Sequence, residues 1–326
     1  MHKVWISKTG EGLEREIESA LGWLDWRAVI AADARVSIKP NLTYPLPRAG
    51  VTTSPAVLEA LIRILRSRTK NINVVESDAG SNAWTADEAF EGHGIGAICR
   101  RYGARAINLT SCEREKVAAE VAGHRVEVEL PRLLRRETDV FITMPVPKLH
   151  MMTGVSLGFK NQWGCLPDVK RLREHSDFAR KILAINQILN PRFAIFDGTW
   201  FLDRSGPIEG VPIRKDLLIA SRDPGAASLV CCELMGIDAR KVNHLRLAMS
   251  VRMMPRNMKG VTLNTVLEPF RGAPFKLRRT WFHWITLAVF HSRIATIALY
   301  DSRLASPAHK LLYLFRGQPI GFAPKW

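Results

Sequence analysis

Strand-like and helix-like runs alternate through residues 30–240, and this alternation restricts the fold more than any other feature of the chain. Arg35-Val36-Ser37-Ile38-Lys39 is β-patterned and stops at Pro40-Asn41. Pro55 opens a helix with Val57, Leu58, Leu61, Ile62 and Leu65 on one face, and the first turn tolerates the proline's missing N–H. Ile72–Ser77 reads as the next strand, residues 86–101 as the next helix and Ala104–Thr110 as a third strand. Val117–Leu130, broken at Gly123, has the pattern of a hairpin, and Asp139–Met144 is an apolar run of the buried-strand type.

A Gly-rich loop over 154–164 and a basic stretch with Lys170, Arg171, Arg173 and His175 follow. Ser176 or Asp177 caps a helix ending near Leu189. Phe193–Phe196 and Leu217–Ala220 are two further strands, and Asp223-Pro224 starts a helix that runs through Met235 and closes at Gly236. The alternation predicts an α/β fold: a mostly parallel, Rossmann-like sheet with helices on both faces. Around Leu245 the pattern changes, and Pro255, Pro269 and Pro274 punctuate an irregular segment. The expected division is an α/β domain over 1–250 and a basic helical C-terminal extension over 251–326.

Charge follows the same division. The 326 residues carry 47 Lys+Arg against 31 Asp+Glu, a formal charge of +16. From Leu245 onward there are 13 bases and only two acids, Glu268 and Asp301, so the tail is strongly basic and the body mildly so. Met1–Lys8 reads as a short strand without the apolar core and cleavage site of a secretory signal. Cys99, Cys112, Cys165, Cys231 and Cys232 are too few and scattered for a disulfide framework and form no CxxC pair. These features point to a reducing, cytoplasmic setting and exclude zinc ribbons and iron–sulfur motifs.

In open α/β sheets ligands bind beyond the carboxyl ends of the strands. Here those ends carry Lys39 and Asn41 with Thr52 and Thr53 nearby, Glu76 and Asp78, Lys148 and His150 followed by Lys160 and Asn161, and Asp197. If the edges converge, lysines, hydroxyls and loop N–H groups form a site for a small anionic ligand. A lysine crowded by other cations has a lowered pKa and can serve as base or nucleophile. Lys160, His150 and Asp197 are the catalytic candidates. Lys39, Asn41, Thr52, Thr53, Lys148 and Asn161 are the anion-binding candidates, and Glu76, Asp78 and His175 the orienting or metal-binding ones. Neither a Walker motif nor a GxGxxG is present.

Several motifs occur in a recognisable order. They are Lys39-Pro40-Asn41 with Thr52-Thr53-Ser54-Pro55, Glu76-Ser77, and Lys148 and His150 before Gly154-Val155-Ser156-Leu157-Gly158-Phe159-Lys160-Asn161-Gln162-Trp163-Gly164. Asp197-Gly198, Gly206-Pro207 with Gly210, Ser221-Arg222-Asp223-Pro224 and Leu234-Met235-Gly236-Ile237 complete the series. Over roughly residues 34–250 this chain resembles the uncharacterised family catalogued as domain of unknown function 362, a resemblance that names no reaction. Many members carry a ferredoxin-like segment with two four-cysteine clusters; this chain has none. The family helix usually reads Asp-Pro-x-Ala-x-Asp, whereas the last position here is Ser228.

A more distant likeness is to the N-terminal domain of the lactate racemase catalytic subunit. In that family a loop lysine carries a covalent nickel-pincer nucleotide and histidines do acid–base work. The likeness implies these places for Lys160 and His150, with His175 a candidate second metal-side histidine. That family's Thr-Arg-Pro loop arginine has no counterpart at Lys39-Pro40-Asn41, and nickel is not carried over. A metal or a nucleotide-derived cofactor stays open.

Residues 276–326 combine Lys276, Arg278, Arg279, Arg293, Arg303, Lys310 and Arg316 with Trp281, Phe282, Trp284, Phe290, Tyr300, Tyr313, Phe315 and Trp326. His283, His291, Ser292 and Arg293 interrupt Trp281–Tyr300, so a bilayer span is a poor fit and an interfacial helix facing anionic lipid a better one. Packing on the body and an intersubunit contact in a homo-oligomer are the alternatives. Nucleic acid is not an expected partner, since no binding motif is recognisable. The sequence thus describes either an enzyme for a small anionic or lipid-linked substrate, peripheral on the inner face of the membrane, or a degenerate anion- or cofactor-binding protein. Racemase- or epimerase-like and oxidoreductase-related chemistry are the reaction classes in view.

Overall fold

The fold is described from a computed structural model for residues 1–80, 83–300, 302, 303 and 310. The tail residues Tyr313, Phe315, Arg316 and Trp326 lie outside the described residues. In chain order the elements are β1 (His2–Lys8), α1 (Leu13–Trp23), α2 (Trp26–Val29), β2 (Val36–Pro40), α3 (Pro55–Arg66), β3 (Ile72–Glu76), α4 (Ala86–Gly92) and α5 (Ile95–Tyr102). They continue with β4 (Arg105–Asn108), β5 (Arg114–Val121), β6 (His124–Pro131), α6 (Arg132–Arg136), β7 (Val140–Met144), β8 (Lys148–His150) and β9 (Gly154–Ser156). Then come α7 (Phe178–Leu189), β10 (Phe193–Asp203), β11 (Val211–Ser221), α8 (Pro224–Met235), α9 (Asn243–Ser250), β12 (Val261–Leu263), α10 (Trp281–His291) and α11 (Arg293–Tyr300).

The main sheet has the order β12-β1-β11-β10-β7-β2-β3-β4. From β10 to β4 every neighbouring pair is parallel. Alternate residues of one strand enter different cores: Phe193 and Ile195 pack with α1 and α3, whereas Ala194 and Phe196 pack with α7 and α8. That is the period-two signature of a sheet covered on both faces. The α/β, mostly parallel architecture expected from the alternation is the architecture found.

Four local expectations are corrected. The helix over 86–101 is two helices, because Gly94 takes a left-handed φ of +66 between α4 and α5. The strands near 193 and 217 are parts of a long antiparallel hairpin, β10–β11, because the short 204–210 connection cannot cross over as a parallel pairing requires. Asp177 precedes α7 but makes no capping hydrogen bond; it pairs with Arg180 at 2.9 Å. The 20-residue interfacial helix is a pair, α10 and α11, bent by 114°. The 117–130 hairpin is present as β5–β6, turning through Ala122 and Gly123 at positive φ.

Residues 251–277 pack with the α/β body. β12 pairs with β1 at the sheet edge, and Met254, Leu267 and Phe275 join the core that holds α7 and α8. No single described helix is long and apolar enough to cross a membrane.

Candidate functional site

β2 lies between β3 and β7, and its neighbours leave it in opposite directions along the sheet. This is the switch point at which parallel sheets open a crevice at their carboxyl ends. Lys39 pairs with Thr143 in register, and Glu76 ends the adjacent β3. The Lys39 ammonium meets Glu76 Oε2 at 2.5 Å and the Pro40 carbonyl at 2.7 Å. Glu76 also accepts from the N–H groups of Leu42 and Ser77. Burial pushes the Glu76 carboxyl up, against the pull of Lys39. Gly164 lies close against this pair: a Cβ there would lie 2.8 Å from Glu76 Oε1 and 3.0 Å from the Lys39 ammonium and would force one of these side chains to shift.

The 160–165 turn is tied to the sheet by buried amides. Asn161 Nδ2 donates to the Lys39 carbonyl and to Thr143 Oγ1. Thr143 donates to Gln162, Gln162 to Asn186 on α7, and Asn186 to the Phe159 and Ile182 carbonyls. These side-chain bonds link the turn to the sheet and to α7 and fix the backbone from which Lys160 projects. The Gln162–Asn186 link carried no sequence signal beyond polar residues in apolar surroundings.

Lys160 is half-buried and lines a cavity of about 380 Å³. Its ammonium sits 5.1 Å from the centre of the Phe178 ring. Among the described residues it has no hydrogen-bond or carboxylate partner. Burial, with Arg171 and Lys39 nearby, lowers its pKa to about 7. Arg171, read from sequence only as part of a basic stretch, is buried in the same wall. Its guanidinium donates to the Leu166, Asp168 and Asp78 carbonyls.

Two imidazoles complete the lining. His150 Nδ1 accepts the Met152 N–H, so its neutral ring carries the proton on Nε2. Burial, reinforced by Lys160 and Lys148, holds its pKa well below the usual histidine range. His175 Nδ1 lies 2.7 Å from the Leu172 carbonyl, which makes Nδ1 the donor. Its ring stacks on Phe290 and its pKa falls to about 3, chiefly through burial. Both rings are uncharged at neutral pH.

Other candidates sit elsewhere. Asp197 is buried outside the cavity, where its carboxylate accepts from Ser54 and Thr199 N–H and secures the entry to α3. Thr53 bridges the Asn41 N–H and the Met144 carbonyl, and Thr52 closes a turn with Arg48. Asp78 accepts from the Ala86 N–H and from Asn108. Lys148 is wholly buried behind Asn41, donating to Asn41 Oδ1 and the Val51 carbonyl; burial without a carboxylate drives its pKa far down. Ser228 donates to the Pro224 carbonyl and accepts the Gly158 N–H, clamping loop to helix away from the cavity. These residues hold the loops that carry the lining.

Glu76 and His175 line the same cavity, whereas Asp78 does not. Among the described residues no three His, Cys, Asp or Glu side chains are placed to hold a metal ion. Cationic neighbours around two imidazoles also oppose a protein-built metal centre.

The roof was not read from sequence as part of the site. Phe282, His283, Thr286 and Phe290 of α10, with Tyr300 of α11, close the cavity over the polar floor. Met151, Met152, Trp84 and Ile208 extend its apolar upper wall.

Residues 36–233 match the family described as domain of unknown function (DUF362). The chain belongs to that family. This DUF362 protein is 28% identical over 109 residues to the thylakoid-associated protein sll1697 of Synechocystis sp., covering 31% of this chain and 34% of that relative. The chain therefore spans about a third of that relative's length. Among solved structures it is similar to the lactate racemase apoprotein from Thermoanaerobacterium thermosaccharolyticum, with 17% identity, a TM-score of 0.46, and 72% of this chain and 56% of that one covered. A structural-genomics protein from Thermotoga maritima matches with 16% identity and a TM-score of 0.38, covering 65% and 56%.

Proposed function

We propose that this DUF362 protein is an enzyme that binds a small anionic or lipid-linked substrate in the cavity, with Lys160 as the reactive group. The observation that supports it is an amine with no hydrogen-bond or carboxylate partner among the described residues, lining a cavity beside the buried Arg171. Arg171 would draw an anion toward Lys160, and the amine, about half uncharged near pH 7, has a lone pair available. His150 lines the same cavity and carries its ring proton on Nε2. Proton abstraction beside a carboxylate is the reaction class this set suits: Lys160 takes the proton while the Arg171 guanidinium holds the carboxylate charge.

The second reading is a binding protein without turnover. Its main support in the sequence, Ser228 in place of the usual aspartate, weakens because Ser228 lies away from the cavity. The basic tail, and the thylakoid association in the Synechocystis relative's name, favour a location at a membrane surface.

The test is pulse labelling with trinitrobenzenesulfonate, an anionic amine reagent, followed by peptide mass mapping. Lys160 should react ahead of surface lysines with a midpoint near pH 7, and small carboxylates or phosphate should protect it. An ordinary lysine titration without protection would overturn the reading. Protection without turnover on a panel of hydroxy and amino acids would select the binding-only alternative.

A further inference from the structure

The cavity roof has two apolar faces. The inner residues Phe282, His283, Thr286 and Phe290 are buried against the site. On the outer side Trp281 is 61% exposed, Trp284 59% and Ile285 49%, and Ile294 on α11 is 82% exposed. A helix packed on a globular body ordinarily turns polar residues to water. Here indole and branched aliphatic groups are turned out instead, and Trp281, Trp284 and Ile285 share one face of α10 at i, i+3 and i+4.

The chain that carries the patch is basic. It holds Lys276, Arg278, Arg279 and Arg293, and there is no acid between residues 271 and 300; Arg271 pairs with Glu233. Arg279 lies 5.3 Å from the Trp284 ring while donating to the Met151 carbonyl, which fixes a cation at the patch edge. Tryptophan beside arginine is the chemistry of an anionic bilayer interface. The pair cannot cross in a straight line: α10 is about 16 Å long and turns through its break, against a hydrocarbon layer of about 30 Å. It fits lying in the headgroup plane.

We infer that α10 is a lid that docks on an anionic membrane, and that the ligand is an amphiphile with an anionic head and an apolar chain. This rests on the cavity being the ligand site. The anionic head meets Lys160 and Arg171, while the chain lies along Met151, Met152, Ile208, Phe282 and Phe290 toward the bilayer side. Because one helix contacts both membrane and cavity, docking and lid opening are mechanically joined.

Flotation of the full chain with vesicles of phosphatidylcholine alone or mixed with phosphatidylglycerol tests this. The chain should float with the anionic vesicles, salt should weaken binding, and W284E with I285E should lower it at least tenfold. Those substitutions lie outside the cavity, so trinitrobenzenesulfonate should still label Lys160 as in the native chain. Alkyl phosphates should protect Lys160 at least tenfold better than inorganic phosphate. Absence of flotation with Lys160 still reactive overturns the lid and leaves the cavity reading standing. Flotation with an ordinary Lys160 overturns the cavity reading and the amphiphile with it. Equal protection by alkyl and inorganic phosphate overturns the amphiphile. A lipid-free dimer that W284E with I285E dissociates would mean that a second copy covers the face, and overturns the membrane.

Discussion

The floor and the roof of the cavity are built on opposite principles. In the floor, Lys39, Glu76, Asn161, Gln162 and Asn186 are buried, and each is held by at least two polar contacts. In the roof, α10 rests on the body through ring packing and a few anchors, such as Arg279 to Met151. A buried polar network has one low-energy arrangement, because any displacement leaves a charge or amide unsatisfied. An apolar helix face can lift and be re-covered by lipid or ligand at small cost. The contrast teaches that the chemistry is pre-organised while access is left adjustable.

The sharpest way to break this comparison is to disturb the floor. Glu76→Gln leaves the Lys39 ammonium buried without a counter-charge and should lower stability by about 3–5 kcal/mol in urea unfolding. Lys39→Met combined with Glu76→Leu should recover at least half of that loss. If the single change costs no more than a surface substitution, the floor is not the fixed element described here.

Acid titration probes the buried core beside the cavity. His244 is buried, with Nε2 lacking a hydrogen-bond partner and its pKa lowered to about 3, mainly by burial. Between about pH 6.5 and about pH 3 the unfolded chain binds a proton that the folded one refuses. Stability contributed by neutral His244 is therefore lost as pH falls through that window, at up to about 1.4 kcal/mol per pH unit. His244→Phe should flatten the slope measured by urea unfolding at several pH values; an unchanged slope would show that the ring is not held neutral.

The smallest effect is expected in the roof. Phe290→Ala should shift global unfolding by less than about 1 kcal/mol, whereas Phe196→Ala in the sheet core should cost about 3–5 kcal/mol. Hydrogen exchange should show α10 amides opening well before those of β2 and β7. Equal costs at the two phenylalanines would erase the distinction between floor and roof.

Much of this was legible in the chain. The apolar period of α3 and the caps of α8 are local, so their limits followed from spacing. Lys39, Glu76 and Lys160 were recognisable as polar groups at strand ends. Other features were not legible because they depend on distant partners. Gly94 splits a helical pattern whose apolar spacing continues across it. The antiparallel β10–β11 edge follows from a short connection. Asp197 had the credentials of a catalytic acid, but Ser54, 143 positions earlier in sequence, claims its carboxylate. The α10 pattern showed apolar residues wrapping round the helix, and only the packing divides them into a cavity face and an outer face.

The sequence by itself determined the order of the elements, the mostly parallel sheet, and which end of it carries lysines and carboxylates. These are matters of period and composition, which neighbours within a turn or a strand decide. The tertiary structure alone decided which lysine is paired, which is sealed away and which is free. Lys39, Lys148 and Lys160 are the same residue type with the same intrinsic chemistry. Lys39 is paired with Glu76, whereas Lys148 and Lys160 are pushed below the ordinary lysine range, because desolvation and Coulomb interactions sum over everything nearby in space, wherever it lies in the chain.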